Sequence, residues 1–252
     1  MPDSTGNEVE ALSDSKDTKF DFGLLANFVH QVINPLNGVS GTLGNLIDGA
    51  TPPAKQTQRL RAARAQLEHA ISLVRNLAYF SQISIDPKNT NPGAIRKTCV
   101  MPQTIIEAIQ FFQELAYSRN VAVELVNRWD QFKVEGNPDL LRQVFMNLVD
   151  NAVKYSDKGS KVEIEMREQK KSGGLIVAVR SKGSHIPIAE RKRIFELGYR
   201  GESAKKVVAS GTGLGLHICQ IIIAGVHNGS ITVESSTSGE TEFLLRFPEF
   251  HM

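Results

Sequence analysis

Between Phe20 and Leu77 the apolar positions follow a three-four rhythm. Leu25, Val29, Val32, Leu36, Val39, Leu43 and Leu46 alternate steps of four and three, the seam of a helix packed among other helices. The run reaches Asp48-Gly49, and Thr51-Pro52-Pro53 then breaks the helix. Leu60, Ala63, Leu67, Ala70, Val74 and Leu77 repeat the rhythm in a second helix. Two such helices joined by a short turn form an antiparallel hairpin. A hairpin has too little core to stand alone, so the pattern predicts a homodimer that closes a four-helix bundle, with docking onto the rest of the same chain as the alternative.

Past residue 86 the pattern changes to mixed helices and strands. Residues 1–18 are small and polar and predict a disordered tail. The hairpin occupies 19–86, a Pro-, Asn- and Gly-rich linker 87–98, and a second domain 99–250. In that domain the periodicity predicts a helix from about Pro102 to Ser118, a strand Val121–Val126 and a helix 138–155. Paired strands Lys161–Glu168 and Leu175–Arg180 follow, joined by a turn at Lys170-Lys171-Ser172-Gly173-Gly174. A short helix near Ile188–Leu197, a polar mobile loop Gly198–Ser210, a helix through Ala224 and strands Ile231–Ser235 and Glu240–Phe247 complete it. The fold class is α+β, with helices on one face of a mixed sheet.

The helix at 138 carries the richest chemistry. Asn137 suits its N-cap and Pro138 its first turn, where a missing N–H costs nothing. At about 100° per residue, Asn147, Asn151 and Lys154 share one narrow arc with Tyr155 beside it, while Leu141, Phe145, Leu148 and Ala152 face a core. Two amides and an ammonium suit a phosphate–metal site, because a hard cation such as Mg²⁺ takes oxygen ligands and keeps phosphates and waters. Standing alone, the arc reads equally well as a solvated face. Farther on, Gly211-Thr212-Gly213-Leu214-Gly215-Leu216 opens a helix, where bare backbone N–H groups can approach phosphate. It is neither a Rossmann nor a Walker turn: no strand precedes it closely and no Lys-Ser/Thr follows. In the hairpin, His30 follows the seam position Val29 and should sit on the flank, facing solvent. Pro35 removes a backbone hydrogen bond just beyond it, and a neutral imidazole is a competent nucleophile.

Composition narrows the classes. A net charge of +2 with 22% charged residues implies no nucleic acid or other polyanion partner. Cys99 and Cys219 have no metal spacing and read as buried hydrophobes of a reducing compartment. No apolar run is long enough to cross a membrane and no signal peptide is visible, so a cytoplasmic protein without membrane insertion is expected.

The order of these parts resembles the two-component sensor histidine kinases. His30-x-x-x-Asn34-Pro35-Leu36 on a hairpin, then NLVDNAVKY, RIFELGYRG and GTGLGL cover roughly residues 20–248 in family order. The resemblance implies a dimerisation and phosphoacceptor hairpin followed by a two-layer α/β sandwich ATPase of the histidine kinase, gyrase and Hsp90 type. It implies ATP and Mg²⁺ as cofactors. His30 would be the phosphoacceptor, with Gln31 and Asn34 as its catalytic neighbours. Asn151 would bind the metal, supported by Asn147. Lys154 would meet phosphate, and Tyr155 would pack near the adenine. Ser181, Gly183 and His185 would lie in the adenine motif. Phe195, Tyr199 and Arg200 would start the nucleotide lid, and Gly211, Thr212, Gly213, Leu214, Gly215 and Leu216 would form the phosphate turn. Partners would be a second copy, the receiver domain of a response regulator and a separate sensor or input protein.

Three positions depart from the family. Ser181 stands where the family has the carboxylate that accepts from the adenine amino group, and His185 stands where it has glycine. Gln31 replaces the acidic residue after the histidine, so it can orient the imidazole but cannot take its proton, which implies slow autophosphorylation. A degenerate, scaffold-like or phosphotransfer protein with weak or absent ATP binding is therefore the alternative. A gyrase–chaperone ATPase is a third, weaker reading, because Asn147 stands where those enzymes place glutamate.

Overall fold

The computed structural model describes residues 22–85, 97–127, 132–169, 173–208 and 211–248. The expected tail, most of the linker, the tip of the Lys170 turn and the end of the polar loop lie outside these residues. Helices α1 (Phe22–Ile47) and α2 (Pro53–Ile85) form the hairpin. Helix α1 runs through Pro35 without interruption.

The seams of the hairpin split into two lines. In α1, Leu25, Val32, Val39 and Leu46 are half-buried, whereas Val29, Leu36 and Leu43 are exposed. In α2, Ala63 and Ala70 are buried, whereas Leu60, Leu67 and Val74 are exposed. Each helix thus buries one line and leaves the other as an apolar stripe. The hairpin also docks on its own chain: Phe28, Tyr79 and Phe80 are buried in one core with residues of the second domain.

That domain is built on a five-stranded sheet in the order β2-β4-β5-β7-β6. These strands are β2 (Ala122–Leu125), β4 (Lys161–Gln169), β5 (Gly174–Lys182), β6 (Ser230–Ser235) and β7 (Glu240–Phe247). β2 pairs parallel with β4, and the other pairs are antiparallel. Period-two alternation decides the faces. Rows such as Ile164–Val179–Phe243–Val233 and Met166–Val177–Leu245–Ile231 are buried. On the opposite face Arg180 bridges Glu165 and Glu242 at 2.7 and 2.6 Å. Helices α3 (Met101–Phe111), α5 (Pro138–Tyr155) and α7 (Gly215–Ile221) cover the apolar face. This is the expected two-layer α+β sandwich.

Several elements differ in detail. The helix expected over Pro102–Ser118 breaks at Phe112 into α3 and α4 (Gln113–Ser118). Lys97 and Thr98, at the end of the expected linker, open strand β1 (Lys97–Val100), which pairs with β3 (Lys133–Gly136). These short strands contain too few apolar residues to show a period. The expected helix over Ile188–Leu197 is two 3₁₀ turns, Ile188–Glu190 and Arg193–Phe195. The polar loop Gly198–Ser210 contains a helix, α6 (Glu202–Val207), with Glu202 in its first turn and Lys205-Lys206 in its last. That charge order suits the helix dipole.

Candidate nucleotide site

Helix α5 is set by its cap. The Asn137 side chain accepts from the N–H groups of Asp139 and Leu140 at 3.0 and 3.3 Å, and Pro138 occupies the first turn. Leu141, Phe145, Leu148 and Ala152 are buried, as the periodicity requires. Their burial fixes the rotation of the helix and turns Asn147, Asn151, Lys154 and Tyr155 toward one cavity of about 350 Å³.

The cavity is walled by four parts of the chain. The α5 arc forms one side, with Asp150 beside it. Ser181 at the end of β5 and Gly183 and His185 just after it, together with Thr241 and Phe243 of β7, form the floor. The segment after Gly198 contributes Tyr199, Arg200 and α6, and the glycine turn contributes Gly211, Thr212, Gly213, Gly215 and Leu216. The hairpin closes the remaining side with Gln31, Asn34 and Pro35 of α1 and His69, Leu73 and Asn76 of α2.

Two glycines are demanded by space. A Cβ on Gly183 would lie 1.9 Å from the Tyr155 carbonyl oxygen, so the strand end can lie against the end of α5 only without a side chain. Gly213 has φ +67°, and a Cβ there would meet the Gly198 backbone at 2.5 Å. The Gly198 N–H donates to the Gly213 carbonyl at 3.2 Å, tying the glycine turn to the segment that begins at Gly198.

The polar groups are less free than the sequence suggested. Asn147 is buried and forms a reciprocal amide pair with Asn76 of the hairpin, at 3.2 and 3.4 Å. It also donates to the Gly215 carbonyl at 3.2 Å. Asn147 is therefore a junction of hairpin, α5 and glycine turn, and it lines the cavity as well. Lys154 Nζ lies 2.6 Å from Asp150 Oδ2, so the carboxylate offsets part of the positive charge that Lys154 brings to the cavity. Asp150 Oδ1 and Gln31 Nε2 are buried without a partner. Burial, and then the charge of Lys154, lowers the pKa of His69 below its ordinary value, with Asp150 opposing.

His30 is exposed, as expected for the flank, and does not line the cavity; its neighbour Gln31 does. Phe195 and Leu214, expected at the site, do not line the cavity. Phe195 is buried edge-on to Phe243 with ring centroids 6.5 Å apart, and Leu214 is almost fully buried. Neither touches the cavity, because each is the apolar residue its loop uses as an anchor. His185 lines the cavity, and its Nδ1 lies 2.8 Å from the Ser236 carbonyl, which holds the ring against the end of β6. Cys99 and Cys219 are buried free thiols, and burial pushes them up to about 11 and about 12.

Sequence reasoning missed His69, Asn76 and Asp150. A signal was present: His69, Ser72 and Asn76 repeat at three and four residues along α2, a polar stripe beside the apolar seam. Ser72 accepts from Gln143 Nε2 of α5 at 3.3 Å, so the whole stripe faces the second domain.

Comparison with known proteins agrees with this geometry. The profile of the Histidine kinase-, DNA gyrase B-, and HSP90-like ATPase family matches residues 136–251. The sensor protein kinase WalK of Staphylococcus aureus is 26% identical over 225 residues, covering 89% of this chain and 52% of that protein. The chain thus spans about half the length of that relative. The catalytic domain of histidine kinase ThkA superposes with a TM-score of 0.51 at 27% identity, covering 61% of this chain and 97% of that one. ThkA in complex with its response regulator protein TrrA gives 0.55 at 21% identity, covering 90% of this chain and 61% of that one, and shares the fold. No described helix is long and apolar enough to cross a membrane. With the ATPase fold, the amide helix, the glycine turn and the histidine-bearing hairpin in one arrangement, the chain is similar to sensor histidine kinases along most of its length, and its residues 136–251 form a domain of the Histidine kinase-, DNA gyrase B-, and HSP90-like ATPase family.

Proposed function

We propose that this chain is a protein-histidine kinase that autophosphorylates His30 from ATP with Mg²⁺ and passes the phosphoryl group to an aspartate of a response regulator. The observation that carries the reading is the shared cavity: the amide arc of α5, the glycine turn and the segment Gln31–Pro35 next to His30 all line it. Asn151 and Lys154 fit a metal-bound triphosphate, since one offers a neutral oxygen and the other a cation. Mg²⁺ supplies charge neutralisation when bound, and positioning does most of the rest in phosphoryl transfer. A ring nitrogen of His30 forms the bond to the γ-phosphorus, the bond to the bridging oxygen breaks, ADP leaves, and the ring proton passes to solvent because Gln31 cannot take it. Since His30 lies outside the cavity in this arrangement, transfer needs a movement of hairpin against ATPase domain, or a second protomer. The exposed stripe Val29–Leu36–Leu43 with Leu60, Leu67 and Val74 supports a homodimer through the hairpins. Input would come from a sensor partner, and the setting would be cytoplasmic.

The test is labelling with γ-radiolabelled ATP. Acid-labile label on the wild-type chain and none on His30→Ala is expected; acid-stable label, or label that persists in the variant, overturns His30 as acceptor. A second reading is a degenerate kinase that acts as a scaffold. Ser181 in place of the adenine carboxylate and the engagement of Asn147 by Asn76 favour it. Calorimetry with a non-hydrolysable ATP analogue separates the two, since the scaffold gives no binding heat at millimolar nucleotide.

A further inference from the structure

The α2 side of the cavity has no role in the reading above, and it carries unmatched polar groups. His69 lines the cavity together with Asn151 and Lys154, and no hydrogen bond to its ring is present among the described residues. Gln31 Nε2, from α1, is buried without an acceptor and lines the same space. Buried amide N–H groups are as a rule hydrogen-bonded, so the site is incomplete without a ligand that accepts. On the other wall Lys154 is already paired with Asp150. An anionic tail entering the cavity would meet on the ATPase domain a Lys154 already shared with Asp150, and Arg200. The hairpin offers two donors that need an acceptor.

We propose that the hairpin forms half of the polyphosphate site: the imidazole of His69 and the side-chain amide of Gln31 donate to phosphate oxygens of the nucleotide, which then bridges the two domains. This rests on the reading of the cavity as a nucleotide site. His69 is a positioning residue here. It lies on the face of α2 that carries Asn76, whose pair with Asn147 holds that face against α5. One domain supplies the amide arc, the ammonium and the glycine turn; the other supplies neutral donors. Nucleotide binding and domain docking are then one coupled event, each strengthening the other by the same factor.

The experiment is calorimetry on the whole chain, carrying His30→Ala to prevent turnover, with a non-hydrolysable ATP analogue and with adenosine. His69→Leu and Gln31→Leu should each weaken the analogue about tenfold, the scale of a hydrogen bond to a charged acceptor, and leave adenosine unchanged. His69→Gln, which keeps a donor and tolerates any packing role, should recover most of the loss. If the unsubstituted chain binds the analogue and both leucine variants bind it equally well, the inference is overturned while the nucleotide reading stands. Equal weakening of adenosine and analogue would mark His69 as structural and would also overturn it. If the unsubstituted chain binds neither compound, the nucleotide reading itself falls.

Discussion

The reciprocal Asn76–Asn147 pair makes the sharpest prediction about how the two domains hold together. Two amide hydrogen bonds at 3.2 and 3.4 Å join side chains that are 5% and 8% exposed. Each such bond is worth about 1 kcal/mol net, and both are long, so a coupling of about 1–2 kcal/mol is expected. Asn147→Ala loses more than the pair, because the Gly215 carbonyl and Gln143 also lose a partner. Its total cost should be about 2–4 kcal/mol. Asn76→Ala should cost about 1–3 kcal/mol, since Asn147 keeps those other partners. The two effects share one interaction, so the double variant should be more stable than their sum by the coupling energy. Urea unfolding of the wild type, both single variants and the double variant, followed by far-ultraviolet circular dichroism, measures that cycle. A coupling below about 0.3 kcal/mol, within the range of independent sites, would refute the pair as a clamp.

Four further outcomes follow from the geometry. Gly183→Ala should fail to fold or lose most of its stability, because the Tyr155 carbonyl occupies the place of the new Cβ; circular dichroism decides this. Asn137→Ala should cost about 1 kcal/mol in thermal or urea unfolding through loss of the α5 cap. Fold-lowered protonation of His69 makes docking weaken as pH falls through its ordinary value of 6.5 toward the lower folded value, and makes it fully effective above 6.5; hydrogen exchange of α2 against pH should show this slope, and His69→Gln should remove it. Native Cys219, held up to about 12 by burial, should resist a thiol reagent at pH 8 until urea unfolds the domain.

Much of this protein is legible from local pattern. The heptad seam gives both hairpin helices, and Asn137-Pro138 with the apolar positions of α5 gives its start and rotation. Strands β4 to β7 show their alternation, and GTGLGL shows its turn. All of these depend on neighbours within a turn or two of chain, where spacing alone fixes direction. Residues with long-range partners were not legible. Asn76 and Asn147 are 71 positions apart, and no period links them. The sequence alone cannot tell which half of a seam will be covered, so Val29, Leu36 and Leu43 differ from Leu25, Val32, Val39 and Leu46 only in the folded chain. Phe195 and Leu214 sit inside motifs that look like site residues, yet their apolar surface is taken by the core. Amide and glycine chemistry was thus written in local order, whereas the share of the cavity that belongs to the hairpin was decided by packing two domains against each other.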